Sequence, residues 1–146
     1  MINPTLNRPG ITIDCDGVPI RYKSFLFSGG EVQVKILDPI PQGDSPILIR
    51  AFLRSAQDII ELIMISDALS YISERERYLE CPYFPYARQD RVCARGEAFG
   101  AKVAARMLEP YFSSFTFWDI HSAVSMDLFK GACRVKNIEA SCFISP

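Results

Sequence analysis

Residues 47–84 read ILIRAFLRSAQDIIELIMISDALSYISERERYLECPYF, and this stretch decides the fold. Residues 47–53 form a short apolar run of strand type. Ser55 then stands as a helix cap, with Asp58 three residues on in the first turn. From near Ala56, the residues Ile59, Leu62, Ile63, Ile65, Leu69 and Ile72 recur at helical spacing and form a broad apolar face. A one-sided surface helix needs less, so cover on two sides is expected, by a sheet and by a neighbour. Residues 78–84 form a second buried strand, closed by Pro82 and Pro85. Strand, helix, strand in this order favours parallel strands joined by a right-handed crossover.

The alternation continues downstream. Residues 97–109 have helical spacing through Val103, Ala104 and Met107, and Pro110 ends the run. Residues 115–118 are a short apolar strand and 119–122 its carboxyl-end loop. A short helix over 126–129 and a strand over 133–138 follow. Upstream, 11–15 and 18–22 flank Asp16-Gly17, a dipeptide that favours a tight hairpin turn. That hairpin forms an antiparallel margin or a subunit contact. Residues 25–27 lead into Ser28-Gly29-Gly30, and alternation over 31–36 puts Val32, Val34 and Ile36 on one side of a strand. The predicted fold is α/β: a three-layer domain with a mainly parallel sheet and an antiparallel N-terminal hairpin. Residues 1–10 read as a loose arm and 11–146 as one domain.

Composition narrows the function. Hydrophobic residues make up 49% of the 146, enough for a packed core rather than a disordered chain. A net charge of -1 gives no footprint for nucleic acid or an acidic membrane surface. The apolar run around 59–65 is interrupted by Glu61 and is far short of the roughly 20 residues that a membrane span needs. The amino end has no basic region followed by an apolar one, so no signal peptide is read. Five cysteines (Cys15, Cys81, Cys93, Cys133 and Cys142) have no close pairs, which argues against a disulfide framework and a zinc site. Four have apolar or strand-like neighbours, and Cys93 lies in a charged loop. A reducing, cytoplasmic compartment fits this usage.

Sheets of this class bind ligands at the carboxyl ends of their strands, and two charged loops fall there. The first carries Arg88-Gln89-Asp90-Arg91, straight after the rigid Pro82-Tyr83-Phe84-Pro85. Arginine offers forked, permanently charged donors that match phosphate oxygens. The plain alternative is a solvated surface loop. Asp90 has a bland role available, an ion pair with Arg91 or Arg95. The second loop carries Asp119 and His121, the one histidine of the chain. In extended backbone, residues two apart project to the same side, so this pair can share a metal or orient one another. The plain alternative is a histidine that hydrogen-bonds at a strand end. Ser28-Gly29-Gly30 lacks the lysine and hydroxyl residue of a P-loop and reads as a turn. Glu97 reads as a first-turn helix charge and Lys102 as a solvated one.

The run Pro82-Tyr83-Phe84-Pro85-Tyr86-Ala87-Arg88-Gln89-Asp90-Arg91 resembles the signature of the ribose-phosphate pyrophosphokinases, the phosphoribosyl-pyrophosphate synthetases. Asp119-Ile120-His121 resembles that family's Asp-x-His element. Phe27-Ser28-Gly29-Gly30-Glu31 resembles its Phe-x-Asp-Gly-Glu, with Gly29 where the acid stands. Ala101-Lys102-Val103-Ala104 resembles the helix after the loop. The resemblance implies a phosphoribosyltransferase-like fold. It further implies transfer of the β,γ-pyrophosphoryl group of ATP to ribose 5-phosphate, giving phosphoribosyl pyrophosphate and AMP. Carried over residue by residue, Arg88 and His121 are the catalytic pair. Phe27, Glu31, Arg88, Gln89 and Asp90 bind ATP, and His121 and Asp119 lie on the Mg2+ side. Trp118 stands where many relatives have a smaller residue, and reads as packing.

The resemblance covers only the first of the family's two halves. The Asp-Asp and threonine/glycine loop of the ribose-phosphate site do not occur, nor does the basic flexible loop. The expectation is a cut domain or a shortened gene product: an ATP-binding half-enzyme, a homo-oligomer by the family resemblance, and inactive alone. The alternative is a non-catalytic regulatory or oligomerisation module associated with a synthetase. A phosphoribosyltransferase is a weaker third reading, because the 5-phosphate loop is missing.

Overall fold

The computed structural model describes residues 5–6, 10–120, 122–129 and 134–139. Among the described residues the chain opens with β1 (Thr5–Leu6), β2 (Ile11–Cys15), β3 (Val18–Ile20), β4 (Tyr22–Leu26) and β5 (Val32–Ile36). The remainder alternates as β6 (Ile47–Phe52), α1 (Ala56–Ser70), β7 (Arg77–Tyr83), α2 (Gly100–Leu108), a 3-10 turn (Glu109–Tyr111), β8 (Ser114–Trp118), α3 (Ala123–Asp127) and β9 (Arg134–Ile138). A six-stranded sheet has the order β3-β2-β6-β7-β8-β9, and a three-stranded sheet the order β1-β4-β5. Strands β6 to β9 are parallel, and β2 and β3 add the predicted antiparallel margin.

Side-chain alternation gives the large sheet two unlike faces. The register Ile49–Leu79–Phe115–Val135 runs through the core, with the first three at most 1% exposed. The next register, Arg50–Glu80–Thr116–Lys136, lies on the other face, where none is buried and Arg50 pairs with Glu80 at 2.5 Å. A continuous core runs from the large sheet through Leu62, Ile65 and Leu69 of α1 to Val32 and Val34 of β5. Helix α1 also touches α2. It is thus covered on two sides, as its broad apolar face requires. Large sheet, helices and small sheet make the three layers.

The capping box is present. The Ser55 hydroxyl accepts from the Asp58 N–H at 3.2 Å, and the Asp58 carboxylate accepts from the Ser55 N–H at 2.9 Å. Ile72 departs from expectation: the helix ends at Ser70, and Ile72 is 52% exposed. The run over 18–22 also divides. Arg21 turns the chain from one sheet to the other, its N–H and guanidinium both donating to Asp38 at 2.7 and 2.6 Å. No helix among the described residues is long and apolar enough to cross a membrane. The outermost strands of the large sheet are β3, three residues long with Pro19 in the middle, and β9, with Arg134 and Lys136 exposed.

Candidate functional site

Strands β7 and β8 are parallel neighbours, and their carboxyl ends open into a cleft of about 810 Å³. The loop after β7 lines it with Tyr86, Arg88, Gln89 and Asp90. The loop after β8 adds Asp119, Ile120 and Ser122. Each loop holds a non-glycine residue in the left-handed region, Tyr86 at φ 66° and Asp119 at φ 56°. Aspartate tolerates that conformation, while a bulky tyrosine is strained in it. Such strain persists only where the surroundings over-determine it, and here they do.

The first loop is held at several points. A turn closes with the Gln89 N–H on the Tyr86 carbonyl at 2.7 Å. The Gln89 carbonyl then accepts from the Ala101 N–H at 3.1 Å, satisfying one orphan donor at the start of α2. Gly100 lies directly beneath: a Cβ there would collide with Gln89 Oε1 and come within 3.0 Å of the Tyr86 ring. From the opposite side, the buried Ser125 hydroxyl donates to the Ala87 carbonyl at 3.2 Å, and the Ser122 hydroxyl donates to Asp90 at 2.7 Å. Ser122 also caps α3 by accepting from the Ser125 N–H. The second loop is clamped by β9. The Asn137 side chain both accepts from the Ile120 N–H and donates to the Ile120 carbonyl, each at 3.1 Å, and the Asp119 N–H donates to the Ile138 carbonyl.

Against this rigid backbone, Arg88 and Gln89 are exposed at the cleft. Asp119 lines it from the other loop, and His121 lies outside the described residues. Asp90 is held by Ser122 rather than by the expected Arg91 or Arg95, because the turn directs it toward the start of α3. Glu97 also differs. The helix starts at Gly100, and the Glu97 carboxylate stays in the loop, accepting from the N–H groups of Cys93 and Ala94 at 3.1 and 2.9 Å. The adjacent Gly96, at φ 92°, breaks the backbone there. Trp118, expected to serve packing, is 41% exposed and lines the cleft. Below, burial pushes the Cys81 thiol up to about 12, so it stays protonated and donates to the Tyr83 carbonyl.

Phe27 and Glu31 are elsewhere. They sit at the tip of the β4–β5 hairpin in the small sheet, closed by the Phe27 N–H on the Glu31 carbonyl at 2.9 Å, and neither lines the cleft. The Glu31 carboxylate folds over Gly29, where a Cβ would lie 2.6 Å from Oε2. Among the described residues, no three of histidine, cysteine, aspartate and glutamate gather as a metal cluster. Sequence reasoning missed Ser122, Ser125, Gly100 and Asn137. The capping position of Ser122 was a usable signal, whereas Asn137 acts across 17 residues with none.

A sequence profile for the N-terminal domain of ribose phosphate pyrophosphokinase matches residues 14–111. A ribose-phosphate pyrophosphokinase of Pyrococcus furiosus is 32% identical over 113 residues, covering 77% of this chain and 39% of its own. One of Halalkalibacterium halodurans is 38% identical over 95 residues, covering 64% of this chain and 30% of its own. The chain thus spans about two fifths or less of the curated relatives it matches. The crystal structure of phosphoribosylpyrophosphate synthetase from Mycobacterium smegmatis superposes with a TM-score of 0.74 at 22% identity, over 88% of this chain and 43% of that one. That likeness establishes the phosphoribosyltransferase-like fold. The profile covers both the hairpin and the Arg88 loop, and the chain belongs to the family of N-terminal domains of ribose phosphate pyrophosphokinase.

Proposed function

We propose that this chain is the ATP-binding half of a ribose-phosphate diphosphokinase. The supporting observation is the cleft between the β7 and β8 loops, where Arg88 and Gln89 reach solvent from a backbone pinned by Ser122, Ser125 and Gly100. Phosphoryl transfer needs positioning and neutralisation of charge more than covalent chemistry. A rigid loop carrying an exposed guanidinium supplies both. Arg88 binds the polyphosphate and stabilises charge that develops on it, Gln89 donates beside it, and Asp90 orients the loop through Ser122. His121 is assigned to the phosphate and metal side. Magnesium takes one or two carboxylates and completes its shell with water and phosphate. Two carboxylates line the cleft; Asp90 is engaged by Ser122, and Asp119 would hold the ion, which would neutralise polyphosphate charge when bound. Phe27 and Glu31 serve the nucleotide of a neighbouring subunit.

Ribose 5-phosphate has no counterpart of its usual site in this sequence, so the isolated chain binds ATP and turns over very slowly or not at all. Calorimetric titration with magnesium-ATP is expected to show binding that Arg88→Ala weakens about tenfold, or ~1.4 kcal/mol. Binding unaffected by Arg88→Ala, or steady AMP formation dependent on ribose 5-phosphate, would refute this assignment. One observation favours a second reading, a synthetase-associated module. Leu26 and Phe27 at the hairpin tip are 48% and 43% exposed, an apolar pair suited to a subunit contact. Co-elution with a full-length synthetase, without nucleotide binding, would select it.

A further inference from the structure

Asn137 is a polar residue in an apolar place. It shares one register with Phe117 of β8 and Cys81 of β7 across three neighbouring strands. Those two are at most 1% exposed, and Asn137 is half-buried beside them. Asparagine is disfavoured in strands, and an inward position next to a buried ring suits a β-branched apolar residue better. Local rules of this kind are broken mostly at functional sites. Both ends of the Asn137 amide go to one residue. Its oxygen accepts from the Ile120 N–H and its nitrogen donates to the Ile120 carbonyl. The β8–β9 ladder runs as far as Trp118 and Ile138, and the Asp119 N–H extends it by donating to the Ile138 carbonyl at 2.8 Å. Asp119 is left-handed at φ 56°, which turns the chain off the ladder. At Ile120 the Asn137 side chain supplies the partner that the main chain of β9 no longer does. Two residues on, the Ser122 hydroxyl donates to Asp90 of the first loop. One amide thus fixes the loop that carries Asp119 and, through Ser122, the spacing of the two loops that line the cleft.

We propose that Asn137 is a positioning residue for nucleotide binding. It lies outside the lining of the cleft and holds the Asp119 turn from behind. This rests on the nucleotide-binding reading above and deepens it: the part of the affinity that depends on magnesium is assigned to the Asn137–Ile120 clamp, and the remainder to Arg88 and Gln89.

Asn137→Asp keeps the shape of the side chain but sets an acceptor against the Ile120 carbonyl, while Asn137→Leu keeps bulk beside Phe117 and removes both hydrogen bonds. ATP is titrated by calorimetry with and without magnesium. Both variants should lose about five- to tenfold in affinity for magnesium-ATP and stay within about twofold of the parent for metal-free ATP. A residue that only stabilised the fold would lower Tm and produce no such split. An equal loss with and without the metal, or none, would overturn the proposal and leave the nucleotide reading in place. Amide hydrogen exchange gives a second readout that needs no variant, so poor folding of either substitution leaves the test intact. In the parent chain the Asp119 and Ile120 N–H groups should exchange slowly before any nucleotide is added. Fast exchange there, slowed only by magnesium-ATP, would mean that the ligand orders the loop, and the proposal would fall. Absence of ATP binding by the parent chain, with or without magnesium, would overturn both.

Discussion

Arg75 and Arg88 flank the same strand, β7, one before its amino end and one beyond its carboxyl end. The Arg75 side chain is 10% exposed and fully engaged. It donates to the Asp16 carboxylate at 2.7 Å, the Cys15 sulfur at 2.8 Å, the Pro41 carbonyl at 3.2 Å and the Ser45 carbonyl. It thereby ties the β2–β3 turn to the loop before β6. Arg88 is exposed, and its surroundings fix its backbone instead of its guanidinium. The same residue type closes one end of the sheet and is presented to a ligand at the other. What separates a structural arginine from a binding one is whether its donors are already used.

The contrast can be tested directly, beginning with the largest effect. Arg75→Ala should lower Tm by roughly 5–10 °C, because it frees several anchored loop groups at once. Its magnesium-ATP affinity, measured by calorimetry below that Tm, should stay within about twofold of the parent. A fall in affinity matching that of Arg88→Ala would abolish the distinction between the two ends. Gly100→Ala should do the reverse. Alanine is the better helix former by up to ~1 kcal/mol, yet its Cβ would displace Gln89. Tm should hold or rise while ATP binding weakens by about three- to fivefold, and intact affinity would show that the Gln89 position is immaterial.

The smallest effect sharpens the amino-end account by pH. A hydrogen bond from Ser45, and then one from Arg75, holds the Asp16 carboxyl below its ordinary value of 3.8. A carboxyl depressed in the folded state adds stability at pH above that ordinary value, and the contribution is lost as pH falls through the folded one. Asp16→Asn should therefore be less stable than the parent at neutral pH, with the gap closing below about pH 4. Denaturant midpoints across pH 2–7 read this, and parallel curves would remove Asp16 from the anchor.

Much of this architecture was legible from local chemistry. Ser55 and Asp58 announced the start of α1, and Asp16-Gly17, with φ of 56° and 80°, supplied the left-handed pair that a tight hairpin needs. The second sheet was not legible, because the Arg21–Asp38 contact that turns β4 away joins residues 17 apart. The start of α2 was misplaced because Glu97 suits a first helical turn as well as it suits the loop N–H groups it accepts from. Trp118 follows the alternation set by Phe115 and Phe117 and stands on the outward side of β8. The loop residues were visible as a charged run, while the serines and asparagine that stiffen them were not.

The large sheet also has ends that resist lengthening. Its outermost described strands are a three-residue segment interrupted by a proline and a segment bearing two exposed cations. Proline removes a ladder donor, and repeated positive charge repels an identical incoming strand. Strand-by-strand growth into fibrils is thereby discouraged at both margins. Association with other chains is left to side-chain surfaces, whose strength can be tuned one residue at a time.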